Sequence, residues 1–213
     1  MMKTSRSRLG GCMLLCLMGW TMASRAAEPT ANAASDASQA QVLIVYYSLQ
    51  GNTQQMAKAV AEGVQRVDGV AVRIRRVEDC TAEDLQAADG LILGCPTYFA
   101  SIPGTMKLAM DDWNWKWKVD FTNKVGGAFS TGGGQTGGKE HTVITLLLFM
   151  LSNRMIVAGP LYEAVERGTE WGEMGSSAMT GPLDPGVSEG QRDAARRLGE
   201  RIARLTRKLK DAR

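Results

Sequence analysis

The chain has 213 residues, 44% hydrophobic and 22% charged, with a formal net charge of +3. Length and apolar content suit one well-buried α/β domain with a short stretch to spare. Four of the 25 basic residues (Lys3, Arg6, Arg8, Arg25) and no acids fall in residues 1–27, which leaves 21 basic against 22 acidic groups and excludes an electrostatic case for nucleic acid.

The N-terminus has three regions. Residues 1–11 are basic without an acid, CMLLCLMGWTMA (12–23) is apolar, and Ser24-Arg25-Ala26 sets small residues before a cleavage point after Ala26. This pattern predicts a signal peptide over 1–27 and an exported chain, periplasmic or secreted. The alternative is a membrane tether by an uncleaved N-terminus, although the apolar run is short for a span. Residues 28–40, rich in Ala and Ser with no apolar period, predict a flexible linker. The folded domain is expected over 41–213.

Strand and helix patterns then alternate. Val42–Tyr47 is a continuous apolar run, as in a buried parallel strand. Met56, Val60 and Val64 mark one stripe of a helix over Thr53–Val67. Val70–Arg75 alternates and predicts an edge strand wet on one face. Thr81 caps a short helix, TAEDLQAAD, and Gly90–Cys95 is a second buried strand. Pro103 is expected at the first helical position of PGTMKLAMDDW. Val125–Ser130 and Met155–Ala158 predict further strands around a helix from Glu140 to about Asn153. The last helix, Ser188–Leu209, carries Ala195, Leu198, Ile202, Leu205 and Leu209 as its buried stripe. Five βα units of this kind predict a doubly wound sheet of five parallel strands, order 2-1-3-4-5, with helices on both faces. Cys80 and Cys95, which remain after cleavage, would follow strands on either side of the first strand. Two strand spacings are about 9.5 Å, beyond the roughly 7 Å limit of a bridge, so two free thiols are expected. No metal is expected.

That topology gathers three loops beyond the carboxyl ends of the strands. SLQGNT (48–53) joins a buried strand to a helix N-terminus, where backbone N–H groups, the helix dipole and the Ser48, Asn52 and Thr53 side chains can cage a phosphate dianion without Lys or Arg. CPTYFAS (95–101) offers the aromatic faces of Tyr98 and Phe99 to a planar ring. STGGGQTGG (130–138) has five glycines in nine residues and can approach a flat ligand closely.

Together, YYSLQGNTQQMAKAVAEGV, GCPTYFASIPGTMK and FSTGGGQTGGKEHT resemble the flavodoxin superfamily. They are most similar to its tryptophan-repressor-binding-protein-like group of NAD(P)H:quinone oxidoreductases, from about Gln41 through Pro160, with weaker echoes at 168–172, 178–181 and in the last helix. The resemblance implies an FMN cofactor. Ser48, Leu49, Gln50, Gly51, Asn52 and Thr53 would hold its phosphate. Pro96, Thr97, Tyr98 and Phe99 would flank its ring on one side, and Ser130, Thr131, Gly132, Gly133, Gly134 and Gln135 on the other. It also implies two-electron reduction of quinones or similar acceptors by NAD(P)H in a ping-pong cycle. The flavin N5 would carry the chemistry, with no catalytic side chain.

The chain departs from the family pattern. The segment that helps assemble the family's tetramer, after the second strand, is missing here, so a homodimer or monomer is expected instead. Ser152-Asn153 stands where the family has a His pair. Trp115, Trp117, His141 and Asn153 are the candidates for a substrate pocket. The run Trp113-Asn114-Trp115-Lys116-Trp117 is expected to form a connection that lines the crevice, docks a partner or plugs the domain's own edge. NAD(P)H is scarce outside the cytoplasm, which keeps two alternatives open: a flavodoxin-like electron carrier docking a redox protein, and a non-catalytic FMN-binding domain.

Overall fold

The structure, a computed structural model, describes residues 39–162 and 172–212. The predicted signal peptide, nearly all of the linker and most of the 168–172 echo lie outside these residues.

The sequence order is strand β1 (Ala40–Tyr46), helix α1 (Asn52–Gln65), β2 (Val70–Arg76), a 3-10 turn (Val77–Asp79), α2 (Ala82–Ala87), β3 (Gly90–Pro96), α3 (Gly104–Trp115), β4 (Val125–Gly132), α4 (Lys139–Ser152), β5 (Ile156–Val157), β6 (Ser176–Met179) and α5 (Glu189–Asp211). β1 begins at Ala40, one residue inside the expected linker, because Ala40 pairs with Val70 and is buried. The sheet runs β2-β1-β3-β4-β5, all parallel, as the alternation of patterns requires.

The fifth position departs from expectation. Two short strands fill it. β5 pairs with Val125–Gly126 at the start of β4, and β6 pairs with Phe129–Gly132 at its end. The sequence places only the first piece, since SSAM is too short and too polar to signal a strand. β6 is held by its ladder to β4, not by propensity.

Two apolar layers sandwich the sheet. On one face Met56, Val60 and Val64 of α1 meet Ala195, Leu198 and Ile202 of α5, all fully buried. Leu205 and Leu209, expected on the same stripe, are only partly buried at the far end of α5. The α1–α5 contact is close enough that a Cβ on Gly199 would stand 2.0 Å from the Val60 carbonyl oxygen. The other face buries Leu85, Met106, Met110, Trp113, Phe121 and Leu146 from α2, α3, α4 and the chain between. Cys80 and Cys95 are buried there as free thiols.

The caps explain most of the boundaries. Thr81 accepts the Asp84 N–H at 3.2 Å, as predicted. Ser188 and Gln191 form a reciprocal capping box at α5 (3.2 and 2.9 Å). Pro103 sits at the N-cap of α3 in extended conformation, one position earlier than expected.

Candidate functional site

At the carboxyl ends of β1, β3 and β4 the three predicted loops do converge. They line one small cleft with a volume of about 70 Å³. Ser48, Leu49, Gln50, Asn52 and Thr53 line it from the first loop, Pro96, Thr97 and Tyr98 from the second, and Thr131, Gly132 and Gly133 from the third. Thr180, just after β6, completes the lining. The sequence reading named no site residue here, although the family echo at 178–181 contains Thr180, because the strand that delivers it was not legible.

The first loop is built as an anion seat. Gly51 takes a left-handed conformation at the N-cap of α1 (φ 94°), which a glycine adopts without strain. No side chain caps this helix, so its first-turn N–H groups stay available to a ligand at the positive end of the dipole. The Ser48 hydroxyl accepts the Gly51 N–H at 3.1 Å and closes the loop. Thr53 and Thr131 share a buried hydroxyl–hydroxyl bond of 2.8 Å, tying α1 to β4 beneath the cleft. The Asn52 amide donates to Asp184 at 2.7 Å, which fixes its orientation.

The second loop turns at Tyr98–Ser101, whose backbone groups exchange two hydrogen bonds (2.9 and 3.0 Å). Its central residues, Phe99 and Ala100, both have positive φ (51° and 62°), a conformation that costs non-glycine residues about 1 kcal/mol or more each. The turn points Phe99 outward, fully exposed and away from the cleft, whereas Tyr98 lines it and meets Tyr47 edge-on with ring centroids 6.3 Å apart. Burial, with Tyr47 and Cys95 adding to it, raises the Tyr98 phenol above its ordinary value, so the ring faces the cleft neutral. Burial likewise pushes the Cys95 thiol up to about 12, which leaves it inert beside the cleft.

The third loop is less floppy than its glycines suggest. The Lys139 side chain is buried and its ammonium donates to the carbonyls of Gly134 (2.8 Å) and Gln135 (3.2 Å). Ser130 is fully buried and donates to the Lys139 carbonyl at 3.0 Å. Ser130, Gly134 and Gln135 therefore support the loop, while Thr131, Gly132 and Gly133 face the cleft. Nothing in the sequence singles out Lys139, since its partners are main-chain carbonyls.

The matching comparisons fit this site. The family model described as NADPH-dependent FMN reductase matches residues 79–170. A protein of Solidesulfovibrio magneticus named NAD(P)H dehydrogenase (quinone) is 34% identical over 202 residues, covering 79% of this chain and 98% of its own length. The chain belongs to the flavodoxin-like NAD(P)H dehydrogenase (quinone) family. An Aquifex aeolicus protein named flavodoxin is 33% identical and covers 76% of this chain and 84% of itself. A solved structure of a WrbA-like flavodoxin from Agrobacterium tumefaciens superposes with TM-score 0.62 at 25% identity, over 80% of this chain and 99% of that one.

As a member of this family the chain is an FMN-binding oxidoreductase. Its donor set fits that cofactor: free helix N–H groups and hydroxyls for a phosphate, then apolar Leu49, Pro96 and Tyr98 and a glycine-lined wall for a flat ring.

The four substrate-pocket candidates do not gather at the cleft. Trp115 lies within α3 and is 81% exposed, and Trp117 lines a separate groove between α3 and the 3-10 turn. The tryptophan run is not an extended connection: Trp113 and Trp115 are helical, and Trp113 is a core residue edge-on to Phe149. His141 is exposed in the first turn of α4 and is not among the residues lining the cleft. Asn153 follows α4 and donates to the Phe149 carbonyl at 2.8 Å, capping a helix end distant in sequence from every cleft loop.

Proposed function

We propose that the chain reduces quinones or similar small acceptors at the expense of NAD(P)H. The observation that carries this is the convergence of an uncapped helix N-terminus, a neutral tyrosine face and a glycine wall on one cleft, in a relative of proteins named for that reaction. When bound, FMN supplies the two-electron exchange.

The protein's part is binding and orientation. The N–H groups of the α1 first turn, with Ser48, Asn52 and Thr53, would hold the phosphate. Leu49, Pro96 and Tyr98 would cover one side of the ring, and Thr131, Gly132 and Gly133 would present backbone groups to its polar edge. Thr180 closes the cleft on the β6 side.

Anaerobic mixing tests the reading. The FMN-loaded chain should lose its flavin absorbance on addition of NADH or NADPH and recover it with benzoquinone. A protein that takes up no FMN, or that keeps its absorbance with both nicotinamides, sinks it. The relative named flavodoxin supports a second reading, an electron carrier for a redox protein. Exposed Leu49 in the first loop, with Phe99 on the outer side of the second, would then form the docking surface. We propose a homodimer or a monomer instead of a tetramer, which light scattering measures.

Export is proposed from residues 1–27 alone, and N-terminal sequencing of the protein recovered from the cell envelope or medium checks cleavage near Ala26. An exported chain meets little NAD(P)H, and a membrane quinol or a redox protein would then be its donor.

A further inference from the structure

Strand β2 carries three arginines near its end, and the pleat sends them to opposite faces. Arg73 and Arg75 both reach Asp84 of α2, at 2.9 and 2.8 Å. Arg76 falls on the other face with Ile74, whose side chain packs in the α1–α5 layer. This is the face on which α1 begins. There Arg76 Nη2 donates to the Ser48 carbonyl at 3.1 Å, and its guanidinium lies 5.9 Å from the centre of the Tyr46 ring. Its nearest acid, Glu78, is 3.5 Å away, and both side chains are about 40% exposed, so solvent screens that pair.

We infer that Arg76 is the positive charge of the phosphate site, a positioning residue that acts through the Ser48 carbonyl and makes the chain prefer flavin phosphate to unphosphorylated flavin. The inference rests on the FMN reading above.

SLQGNT contains no cation, and helix N–H groups bring only partial charges to a dianion. Arg76 adds a full charge directly behind the loop. It also fixes the loop: the Ser48 carbonyl is held by Arg76 and the Ser48 hydroxyl by the Gly51 N–H, so one guanidinium anchors the turn that starts α1. The sequence hides this role, since Arg76 lies 28 positions from Ser48 and only the parallel register of β1 with β2 brings Tyr46 opposite Arg76.

The test compares FMN with riboflavin on the purified full chain, by flavin fluorescence quenching, for Arg76→Gln and Arg76→Lys. Arg76→Gln should weaken FMN binding about five- to tenfold and leave riboflavin within about twofold, because only the phosphate feels the lost charge. Arg76→Lys, which keeps the charge, should recover most of the FMN affinity. Raising salt should weaken FMN binding to the parent chain more steeply than to Arg76→Gln. Equal losses for FMN and riboflavin, or no loss for either, would overturn the inference. Should Arg76→Gln fail to fold, Arg76→Met, which keeps the length of the side chain without its charge, is measured in the same way and read by the same outcomes. A parent chain that binds neither flavin overturns the FMN reading itself, a separate result.

Discussion

At the scale of single residues, the cleft depends on short polar contacts made between elements. Thr53 and Thr131 satisfy each other's hydroxyls where neither reaches water. Thr53→Val keeps the shape, removes one hydroxyl and leaves the Thr131 hydroxyl searching for a partner. Urea unfolding should show a loss of about 1 kcal/mol, and an unchanged midpoint would show that the pair contributes nothing. The two thiols behave in the opposite way, as inert packing. Burial raises Cys80, with Asp84 adding to it, and Cys95 to about 12 each, so almost no thiolate exists at pH 8. In a chain with Cys12 and Cys16 replaced by Ser, a chromogenic disulfide reagent should leave both thiols unmodified until denaturant is added. Stoichiometric reaction of the native protein within minutes would refute their burial.

At the scale of elements, helix packing sets what the loops can do. α1 must sit close against α5 for its N-terminus to point into the cleft, and glycines on both helices permit the approach. A Cβ on Gly63 would fall 1.9 Å from the Arg196 carbonyl oxygen, and one on Gly199 2.0 Å from that of Val60. Neither neighbour is a flexible side-chain tip; both are backbone. Gly199→Ala should therefore force the helices apart and cost about 3 kcal/mol, with FMN affinity falling as α1 shifts. A thermal melt and a flavin titration on the same variant measure both, and a variant as stable as the parent would contradict the close approach. The sequence pattern located these helices from their apolar stripes, but the 3.6-residue period cannot report which glycines face a neighbouring backbone. It also placed the tryptophan run in a connection, since a helix end and an extended segment both accommodate three alternate Trp residues.

At the scale of the whole molecule, one ion-pair cluster couples the sheet edge to the solvent pH. Burial by itself would raise the Asp84 carboxyl, but hydrogen bonds from Arg75 and Arg73 outweigh burial and hold it below its ordinary 3.8. A carboxyl whose value is lower in the folded than in the unfolded chain adds stability above the unfolded value and loses it as pH falls through the folded one. The contribution is thus present at neutral pH and disappears below about pH 4. Both guanidinium groups are roughly 40–50% exposed, so screening keeps it near 1 kcal/mol. Asp84→Asn should lower stability by about that amount at pH 7 and flatten the stability profile below pH 4. Unfolding midpoints measured from pH 3 to pH 7 check this, and two parallel profiles would rule out the linkage.

The sequence by itself determined the layered α/β order, the parallel sheet and the three loops that meet at its edge. Each of these follows from local information: apolar runs for buried strands, i, i+4 stripes for helices, and turn residues where a strand hands over to a helix. The cofactor family was legible for the same reason, because SLQGNT, CPTYFAS and STGGGQTGG are contiguous stretches. The tertiary structure alone decided the split fifth strand, the burial of Lys139 under the glycine loop, the outward turn of Phe99, the arrival of Thr180 in the cleft and the placing of Arg76 behind Ser48. The split strand, Thr180 and Arg76 depend on partners far along the chain, through a ladder, a main-chain carbonyl or a shared sheet edge. Lys139 and Phe99 depend instead on nearby main-chain geometry that no residue type announces. Such contacts leave no period or motif in the residues that make them.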